Sequence, residues 1–437
     1  MARPAGAGGP FRRRRVTQQS LAQPSCAITA ILPDRHDDLA RLRQLARHTP
    51  PIIAVTGKYN HGKSRLLNEL LGKDVFAVAD RRETVALAQA EHAQARWLDA
   101  PGLDADVARA DDDHAHQASW LLADIRLFVH AAKAGELDGQ ERDLLQALLA
   151  DARLTHRQTV FALTQIDQLG DEAERQAIES ALLAQVPQLA IHAVSATRHR
   201  QGIEGDKPLL QARSGLPELR QALEQALAGV PQARRHEVAT RCHMLRSALQ
   251  DALAQHTALQ SHLLHTQAQQ RQAFSAGLQA VIEKAATGIA ELLDSLGADH
   301  ASVPDQARDA YVLTAGKAER NRIQIAYSRA CIEIDSFLAG HGVHELPAAR
   351  KTFAPSLNTV MIAVLGVSVK GRHQLRRMFC EAAGRERLHR DFSAYFPLSD
   401  DQQALAARIA AAGAAIDTAR RALTELDQLE AAACPAM

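Results

Sequence analysis

The chain contains few cysteines, few aromatic residues and no excess of charge of either sign. Its five cysteines are odd in number, widely scattered and without a C-x-x-C spacing, so they predict neither a zinc site nor a disulfide framework and are typical of a reducing cytosol. The 51 basic residues against 50 acidic ones leave a net charge of +1, which provides no global field to attract nucleic acid, DNA included, or anionic lipid.

The sequence also lacks an apolar run long enough to span a bilayer. The most apolar stretch, residues 360–369, covers only about half of a bilayer core at about 1.5 Å per residue, so a transmembrane helix is excluded there. Two interpretations stay open. The run packs inside a helical domain, or it inserts shallowly into a membrane with the basic residues that follow at the level of the headgroups. Those basic residues are Lys370, Arg372, Arg376 and Arg377.

The N-terminal region is rich in glycine, proline, alanine and glutamine around Arg12 to Arg15, and no apolar segment follows these arginines. This pattern is not that of a secretory signal. We expect residues 1–33 to form a disordered basic arm and a short helix to run from about Asp34 to Arg47. At 437 residues the chain exceeds what one hydrophobic core usually serves, so two domains are expected.

Residues 57–64, with the sequence GKYNHGKS, match the phosphate-binding pattern G-x-x-x-x-G-K-[ST]. An apolar run at 52–55 precedes the match and a helical pattern follows it. A buried strand that leads into such a turn aims backbone N–H groups at the start of the next helix, where the helix dipole also favours an anion. A turn that only joined strand to helix would need neither Lys63 nor Ser64. The candidate phosphate-binding residues are Gly57, Asn60, His61, Gly62, Lys63, Ser64 and Arg65.

Two further segments are expected to complete a magnesium and γ-phosphate site. Residues 96–102 read as a second strand that ends in D-x-P-G, where Asp99 would hold Mg²⁺ through its water shell and the Gly102 N–H would meet the γ-phosphate. Between the two motifs lies Thr84, where a mobile segment would cap Mg²⁺ only in the presence of the γ-phosphate. The candidate Mg²⁺ ligands are therefore Ser64, Thr84 and Asp99. The acidic stretch 111–116, which contains two histidines, reads as a solvated loop rather than a metal site.

Two later segments resemble elements that recognise guanine. The apolar run 160–163 leads into Thr164, Gln165 and Asp167, which resemble the [NT]-K-x-D element. The Asp167 carboxylate can accept from both the ring N1–H and the exocyclic amine of guanine, and adenine offers no such pair of donors. Gln165 stands where lysine is usual, which removes a long aliphatic cover and a cation from the base. Ser195 and Ala196 resemble the S-A-x loop, in which the alanine N–H contacts the guanine oxygen.

Taken together, these segments resemble a translation-factor-class P-loop GTPase of the Era-like and bacterial dynamin-like branches. The resemblance covers about residues 51–228, and the run G-x-Y-N-H-G-K-S followed by L-L-N-x-L-L-G looks most like the dynamin-like branch. It implies an α/β fold, a doubly wound P-loop GTPase domain with helices on both faces of the sheet, followed by an all-α helical domain. We expect the GTPase domain with its leading helix at 34–229 and a helical bundle at 230–437.

One departure from that family bears on catalysis. Leu103 follows D-x-P-G where small regulatory GTPases carry the glutamine that orients the attacking water, so a side chain there cannot catalyse and low basal activity is expected. The candidate catalytic residues are Lys63, Thr84 and Asn60. Asn60 matches the loop asparagine that binds K⁺ in some members of the resembled class and so supplies positive charge. An equally weighted interpretation is that Asn60 only tolerates an unusual turn conformation.

The remaining half of the sequence is dense in alanine, leucine, glutamine and arginine, and it has no proline from 232 to 303. Apolar residues recur there every three to four positions, as in Leu245, Leu249 and Leu253, which predicts long amphipathic helices that pack as a hairpin or bundle. Pro231 is expected to mark the domain boundary, and further helices are expected at 307–339 and 400–433. The spacing is not a strict heptad over enough turns for a long coiled coil.

Three classes of function stay open for this chain, which we expect in the cytoplasm with or without peripheral membrane contact. The first is a dynamin-like protein that hydrolyses GTP to GDP and couples this to rearrangement or self-association of its helices, with GTP or GDP, Mg²⁺ and in one interpretation K⁺ as ligands. The second is an Era-like ribosome or RNA factor, disfavoured because the C-terminal half shows no basic stripe or aromatic platform. The third is a nucleotide-binding scaffold that hydrolyses GTP poorly.

Overall fold

The computed structural model describes residues 27–76, 88–100, 117–304, 306, 311–343, 345–346, 359–366 and 368–434. The chain divides into two compact units. The first is Met1–Ala252 together with Thr418–Met437, and the second is Leu253–Asp417.

A six-stranded sheet forms the centre of the first unit. Its order is β2-β3-β1-β4-β5-β6, in which β2 is antiparallel to β3 and the other neighbours are parallel. Every residue of β1 and β4 is buried, because these two strands lie at the middle of the sheet. The strands are β1 Ile52–Thr56, β2 Ala88–His92, β3 Ala95–Asp99, β4 Ile125–Ala131, β5 Gln158–Thr164 and β6 Ile191–Ala193.

Helices cover both faces of this sheet. On one face Leu66 and Leu67 share a hydrophobic core with Val55 and Ile125, and on the other Leu148 shares a core with neighbouring strand residues. The predicted doubly wound α/β domain is thereby confirmed. Its helices are α1 Ala27–Ile31, α2 His36–Leu45, α3 Lys63–Leu71, α4 Gly139–Thr155, α5 Glu172–Gln185, α6 Ala196–Glu204 and α7 Pro208–Ala212.

A single helix, α8, runs from Leu216 to Asp294 and continues through Pro231. Pro231, which is expected at the domain boundary, therefore lies inside a helix and not between two helices. Val230 and Val238 are buried on either side of the proline, so packing against the rest of the first unit supports the helix where proline removes a backbone donor. The last helix of the chain, numbered α13 below, spans Asp400–Ala433, as the sequence predicts.

The second unit is helical, as expected. Its core contains one face of the distal part of α8, including Phe274, Leu278 and Ile282. Its other helices are α9 Ala315–Ala339, α10 Val360–Leu365, α11 Arg372–Leu375, α12 Ala382–Ser393 and the first part of α13.

The apolar run at 360–369 contributes to this same core. Val360, Met361, Val364, Leu365 and Val369 are all buried there, which supports packing over membrane insertion for the described part of the run. Among the residues that the structure describes, no helix combines the length and apolar character needed to cross a membrane.

A network of buried ion pairs fastens the proximal part of α8 to the sheet. Glu237 of α8 accepts hydrogen bonds from Arg41 of α2 at 3.1 and 2.8 Å, and Arg157, which directly precedes β5, lies 3.3 Å from the same carboxylate. The Arg41 guanidinium also donates to Asp124 at 2.9 Å. Burial alone would raise the pKa of Glu237, but Arg41 and Arg157 lower it to about 2.

Candidate functional site

The phosphate-binding loop connects β1 to α3 and depends on two glycines. Gly57 has φ 149°, and a Cβ at this position would lie 2.1 Å from the Val129 carbonyl oxygen, so no larger residue fits. Gly62 caps the N-terminus of α3 in the left-handed conformation with φ 81°. Between them Asn60 also adopts a positive φ of 59°, a conformation that asparagine tolerates better than most residues.

The reactive side chains of the loop lie at the start of α3. Lys63 is buried and its Nζ donates to the carbonyl oxygens of Gly57 at 2.9 Å and of Lys58 at 2.8 Å. Its ammonium group is thereby held inside the loop, where an anion could be bound. Arg65 is exposed on the first turn of α3.

Ser64, in the first turn of α3, meets Asp99 at the carboxyl end of β3. The Ser64 hydroxyl donates to Asp99 Oδ2 at 2.8 Å, and β3 lies beside β1, the strand that leads into the loop. Burial raises the pKa of Asp99, and the positive charge of Lys63 partly offsets this effect. Asp99 Oδ1 is buried and has no hydrogen-bond partner among the described residues. A hydroxyl and a carboxylate with an unsatisfied oxygen fit a Mg²⁺ ion, which prefers oxygen ligands.

The residues expected to recognise guanine contact the phosphate-binding loop as well as one another. Thr164 Oγ1 donates to the carbonyl oxygen of His61 at 2.6 Å and lies 3.1 Å from that of His130. Gln165, in the left-handed conformation with φ 60°, donates from Nε2 to the Asn60 carbonyl oxygen at 2.7 Å. Gln165 thus supports the loop although it lacks the charge of the usual lysine.

Asp167 and the S-A-x loop lie together at the ends of β5 and β6. Ser195 donates its hydroxyl to Asp167 Oδ1 at 2.6 Å and, as the N-cap of α6, accepts from the Arg198 N–H at 3.0 Å. Ala196 is the first residue of that helix. The structure therefore brings together two segments that are almost thirty residues apart in the sequence. Thr84, Gly102, Leu103 and the stretch 111–116 lie outside the described residues.

Sequence reasoning missed several charged residues beneath the loop. Lys58 forms an ion pair with Asp138, the N-cap of α4, and Glu141 in the first turn of α4 lies against His61 and His130. Burial alone would raise the pKa of Glu141, but the two imidazoles lower it to about 2. The D-x-x-E spacing of Asp138 and Glu141 is a capping-box pattern that sequence analysis could have found. Nothing in the sequence spacing connects Glu141 to either histidine.

A second buried group joins the loop helix to the guanine side of the site. Glu69 of α3 accepts from His199 Nδ1 at 2.7 Å and from Arg200 Nε at 2.7 Å, and both partners belong to α6. Because α3 begins at the phosphate-binding loop and α6 begins at Ala196, this contact fixes the two halves of the nucleotide site relative to each other.

The fold and this arrangement of residues define a P-loop GTPase domain. Residues 52–165 match the family model described as 50S ribosome-binding GTPase. The chain belongs to the same family as an uncharacterized protein of Acinetobacter baylyi, to which it is 48% identical over 407 residues, which is 93% of this chain and 97% of the relative.

More distant relatives match only the GTPase half. GTPase Era of Bordetella petrii is 30% identical over 34% of this chain and 51% of Era, and GTPase Era of Xanthomonas oryzae is 30% identical over 42% of this chain and 64% of Era. The chain thus spans roughly half to two thirds of the length of these two relatives. The crystal structure of Aquifex aeolicus Era bound to GDP and aluminium fluoride aligns with 24% identity over 37% of this chain and 56% of that chain, with a TM-score of 0.30.

Proposed function

We propose that this protein binds GTP and hydrolyses it to GDP and phosphate, and that its nucleotide state changes the arrangement of its helical region. The observation that carries the proposal is the contact of Ser64 with Asp99 beside Lys63, whose ammonium group is held in the loop by the Gly57 carbonyl oxygen. These residues supply a cation for phosphate and an oxygen pair for Mg²⁺ at one helix N-terminus.

In the proposed reaction a water oxygen forms a bond to the γ-phosphorus and the bond to the β,γ-bridging oxygen breaks, so that GDP leaves. Lys63 and the loop N–H groups neutralise negative charge on the β- and γ-phosphates. Ser64 and Asp99 would hold Mg²⁺, which would supply further positive charge to these phosphates. With leucine at position 103, basal turnover is slow, and K⁺ bound through Asn60 is one source of additional charge.

Guanine preference rests on Asp167. Its Oδ1 already accepts from Ser195 at 2.6 Å, and this contact orients the carboxylate while a second oxygen stays available to the donors on guanine. Gln165 contacts the phosphate-binding loop by donating to the Asn60 carbonyl oxygen. We therefore propose that the site still prefers guanine although glutamine replaces the usual lysine.

The helices supply a path for the response to nucleotide. Both α8 and α13 begin in one compact unit and end in the other, and Glu237 fixes α8 to α2 of the nucleotide-binding unit. A rearrangement transmitted along continuous helices is the coupling expected of a dynamin-like protein.

Ribosome or RNA binding is the second candidate function. Its support is the match of residues 52–165 to the 50S ribosome-binding GTPase model and the similarity to proteins named GTPase Era. Both matches are confined to the nucleotide-binding half, so they favour shared nucleotide chemistry more than a shared partner. Sedimentation of the protein with ribosomes in the presence of a non-hydrolysable GTP analogue would support this second function.

The test is phosphate release from GTP and from ATP by the wild-type chain and by Lys63→Ala. The control is Lys207→Ala, an exposed lysine of the same unit. We expect turnover with GTP that Lys63→Ala abolishes and Lys207→Ala retains, with higher rates in K⁺ than in Na⁺ and at higher protein concentration. Turnover that survives in Lys63→Ala would contradict the assignment of the site, and nucleotide binding without any turnover would favour the scaffold function.

A further inference from the structure

Three side chains from three separate elements converge beneath the phosphate-binding loop. His61 comes from the loop itself, His130 from the end of β4 and Glu141 from the first turn of α4. All three are buried, at 8%, 0% and 2% exposure respectively. Among the described residues this is the one group of histidine and carboxylate side chains whose ligand atoms lie within 4.8 Å of one another.

The spacing of the donor atoms fits a small tetrahedral ion. Nδ1 of His130 lies 3.0 Å from Glu141 Oε1, and Nδ1 of His61 lies 3.3 Å from the same oxygen. Ligands held about 2.0 to 2.1 Å from a tetrahedral Zn²⁺ ion are about 3.3 Å apart. The two imidazole rings are nearly perpendicular, with an interplanar angle of 89°, so their nitrogen atoms approach the carboxylate from different directions.

The hydrogen bonds around His130 leave its Nδ1 suited to a cation. Nε2 of His130 lies 3.1 Å from the Gly135 carbonyl oxygen, which can only accept, so Nε2 must carry the proton. Nδ1 of His130 lies 3.0 Å from the Glu141 carboxylate, so either a proton or a metal ion lies between these two atoms. A ring nitrogen that donates to a backbone carbonyl while the other nitrogen binds metal is the usual second contact of metal-binding histidines.

His61 supplies the second observation. Its Nδ1 is buried and makes no hydrogen bond of acceptable geometry among the described residues. An unsatisfied buried nitrogen is costly unless something binds it, and a metal ion at the Glu141 carboxylate would satisfy it.

We propose that His61, His130 and Glu141 form a binding site for a divalent transition-metal ion, with Zn²⁺ as the best match. Two imidazoles and one carboxylate are zinc ligands, whereas Mg²⁺ requires oxygen. The site is therefore separate in chemistry from Ser64 and Asp99. Three protein ligands leave a fourth position for water.

An ion at this site would bear directly on the phosphate-binding loop. Thr164 donates to the His61 carbonyl oxygen and lies within hydrogen-bond distance of that of His130, and Lys58 of the loop pairs with Asp138, three residues before Glu141. The ion would therefore join the loop to β4, α4 and the guanine element. Its occupancy is expected to reduce the mobility of residues 57–64, an effect that does not depend on GTP hydrolysis.

The test is metal content of the full chain after removal of metal with a chelator and dialysis against Zn²⁺. We expect about one Zn²⁺ per chain and a visible absorption band of tetrahedral type when Co²⁺ replaces it. His61→Gln and Glu141→Gln should each weaken Zn²⁺ binding by at least about tenfold and change the Co²⁺ band. Hydrogen exchange at residues 57–64 should slow on addition of Zn²⁺ in the wild type and not in these two variants.

Two control variants separate this site from its surroundings. His199→Gln removes a buried histidine that contacts a different carboxylate of this unit, Glu69, and Ser64→Ala removes the hydroxyl beside Asp99. Both variants should keep the Zn²⁺ ion. Circular dichroism identifies any variant that fails to fold, and the remaining substitution then decides. The proposal would be overturned if the wild-type chain bound no Zn²⁺, or if His61→Gln and Glu141→Gln bound Zn²⁺ as well as the wild type. Either result would indicate an imidazolium held by Glu141. Loss of Zn²⁺ with normal GTP turnover would leave the proposed function intact.

Discussion

At the scale of single residues, the proposed base recognition depends on a carboxylate that another side chain orients. Asp167 accepts from Ser195, and Ser195 is itself held at the N-cap of α6 by the Arg198 N–H. Thr164 and Gln165, from the same segment as Asp167, contact backbone carbonyl groups of the phosphate-binding loop instead. The first two positions of the segment thus contact the loop, and its last position, Asp167, is the proposed contact to the base.

The first prediction concerns Asp167→Asn. The amide can no longer accept from both donors of guanine, whereas it can donate to the O2 of xanthine, so preference should move from guanosine toward xanthosine nucleotides. We expect GDP affinity to fall by at least about tenfold, since a site built to pair buried donors discriminates strongly when one partner is lost.

Competition of GDP, ADP and xanthosine diphosphate against labelled GDP measures this change. Asp171→Asn is the control, because Asp171 is a helix N-cap in the same unit and asparagine caps equally well. If ADP competes with GDP equally in the wild type, Asp167 does not read the base.

At the scale of secondary-structure elements, the first 37 residues of α8, from Leu216 to Ala252, belong to the nucleotide-binding unit. Val238, Cys242, Leu245 and Leu249 share a core with α1, α2 and the end of α13. Beside that core the Glu237 carboxylate, 0% exposed, is neutralised by Arg41 and Arg157. A buried carboxylate with these partners keeps the helix in one position and makes removal of either charge costly.

The second prediction is that Glu237→Gln destabilises the first unit by up to about 3 to 5 kcal/mol, because the buried Arg41 and Arg157 each lose one carboxylate partner and keep the other, Asp124 and Asp151 respectively. The effect should depend on pH. The folded pKa of Glu237, about 2, lies below the ordinary value of 4.5, so its stabilisation is complete above about pH 5 and is lost as the pH falls toward 2. The difference between wild type and variant should therefore shrink between pH 6 and pH 3.

Urea unfolding followed by tryptophan fluorescence tests this, since both tryptophans, Trp97 and Trp120, lie in the first unit. Glu224→Gln, an exposed glutamate of the same helix, should change the free energy of unfolding by less than about 0.5 kcal/mol. A difference between wild type and Glu237→Gln that stays constant from pH 6 to pH 3 would mean that this carboxylate does not carry the stabilisation.

Sequence patterns predicted those helices, strands and loops that are determined by residues adjacent in the sequence. The strand, loop and helix around Lys63 follow from residues that are neighbours in sequence, and so does the last helix at Asp400–Ala433. The contact of Asp167 with Ser195 was predictable only because the carboxyl ends of parallel strands meet at one edge of a sheet. Pro231 lies inside α8 although a proline locally favours a helix end, because tertiary packing sustains the helix through it.

The buried charged contacts could not be predicted in this way. Arg41 and Glu237 are 196 positions apart, and His130 meets Glu141 only because β4 and α4 fold back on each other. Neither pair has a sequence spacing that predicts contact. In a sequence, a charged residue that becomes buried cannot be told from one that stays exposed to solvent, because most charged residues are exposed.

At the scale of the whole molecule, two helices belong to both compact units, and this determines how coupling can be tested. A chain truncated near Gly229 would lose Val238, Leu245 and Leu249, which form a core with Leu39 and Leu42. Such a truncation would expose apolar surface of the nucleotide-binding unit. A lost response to nucleotide could then reflect either lost coupling or a failure to fold. The response to nucleotide is therefore better measured in the full chain.

The last prediction is that a non-hydrolysable GTP analogue changes the hydrogen exchange of residues 253–417 or the oligomeric state, relative to GDP. A ligand shifts a conformational equilibrium only by its difference in affinity for the two states, and the γ-phosphate is the chemical difference between these two ligands. That phosphate is expected at Lys63, at the start of α3. Glu69 of the same helix contacts His199 and Arg200 of α6, so a change at Lys63 can reach α6 through direct contacts within the first unit.

Lys63→Ala is the control, because it should bind neither nucleotide and should show the same exchange pattern with GDP and with the analogue. Exchange and scattering profiles that are the same with GDP and with the analogue in the wild type would show that the helices form a static platform, and the protein would then act through its nucleotide-binding unit alone.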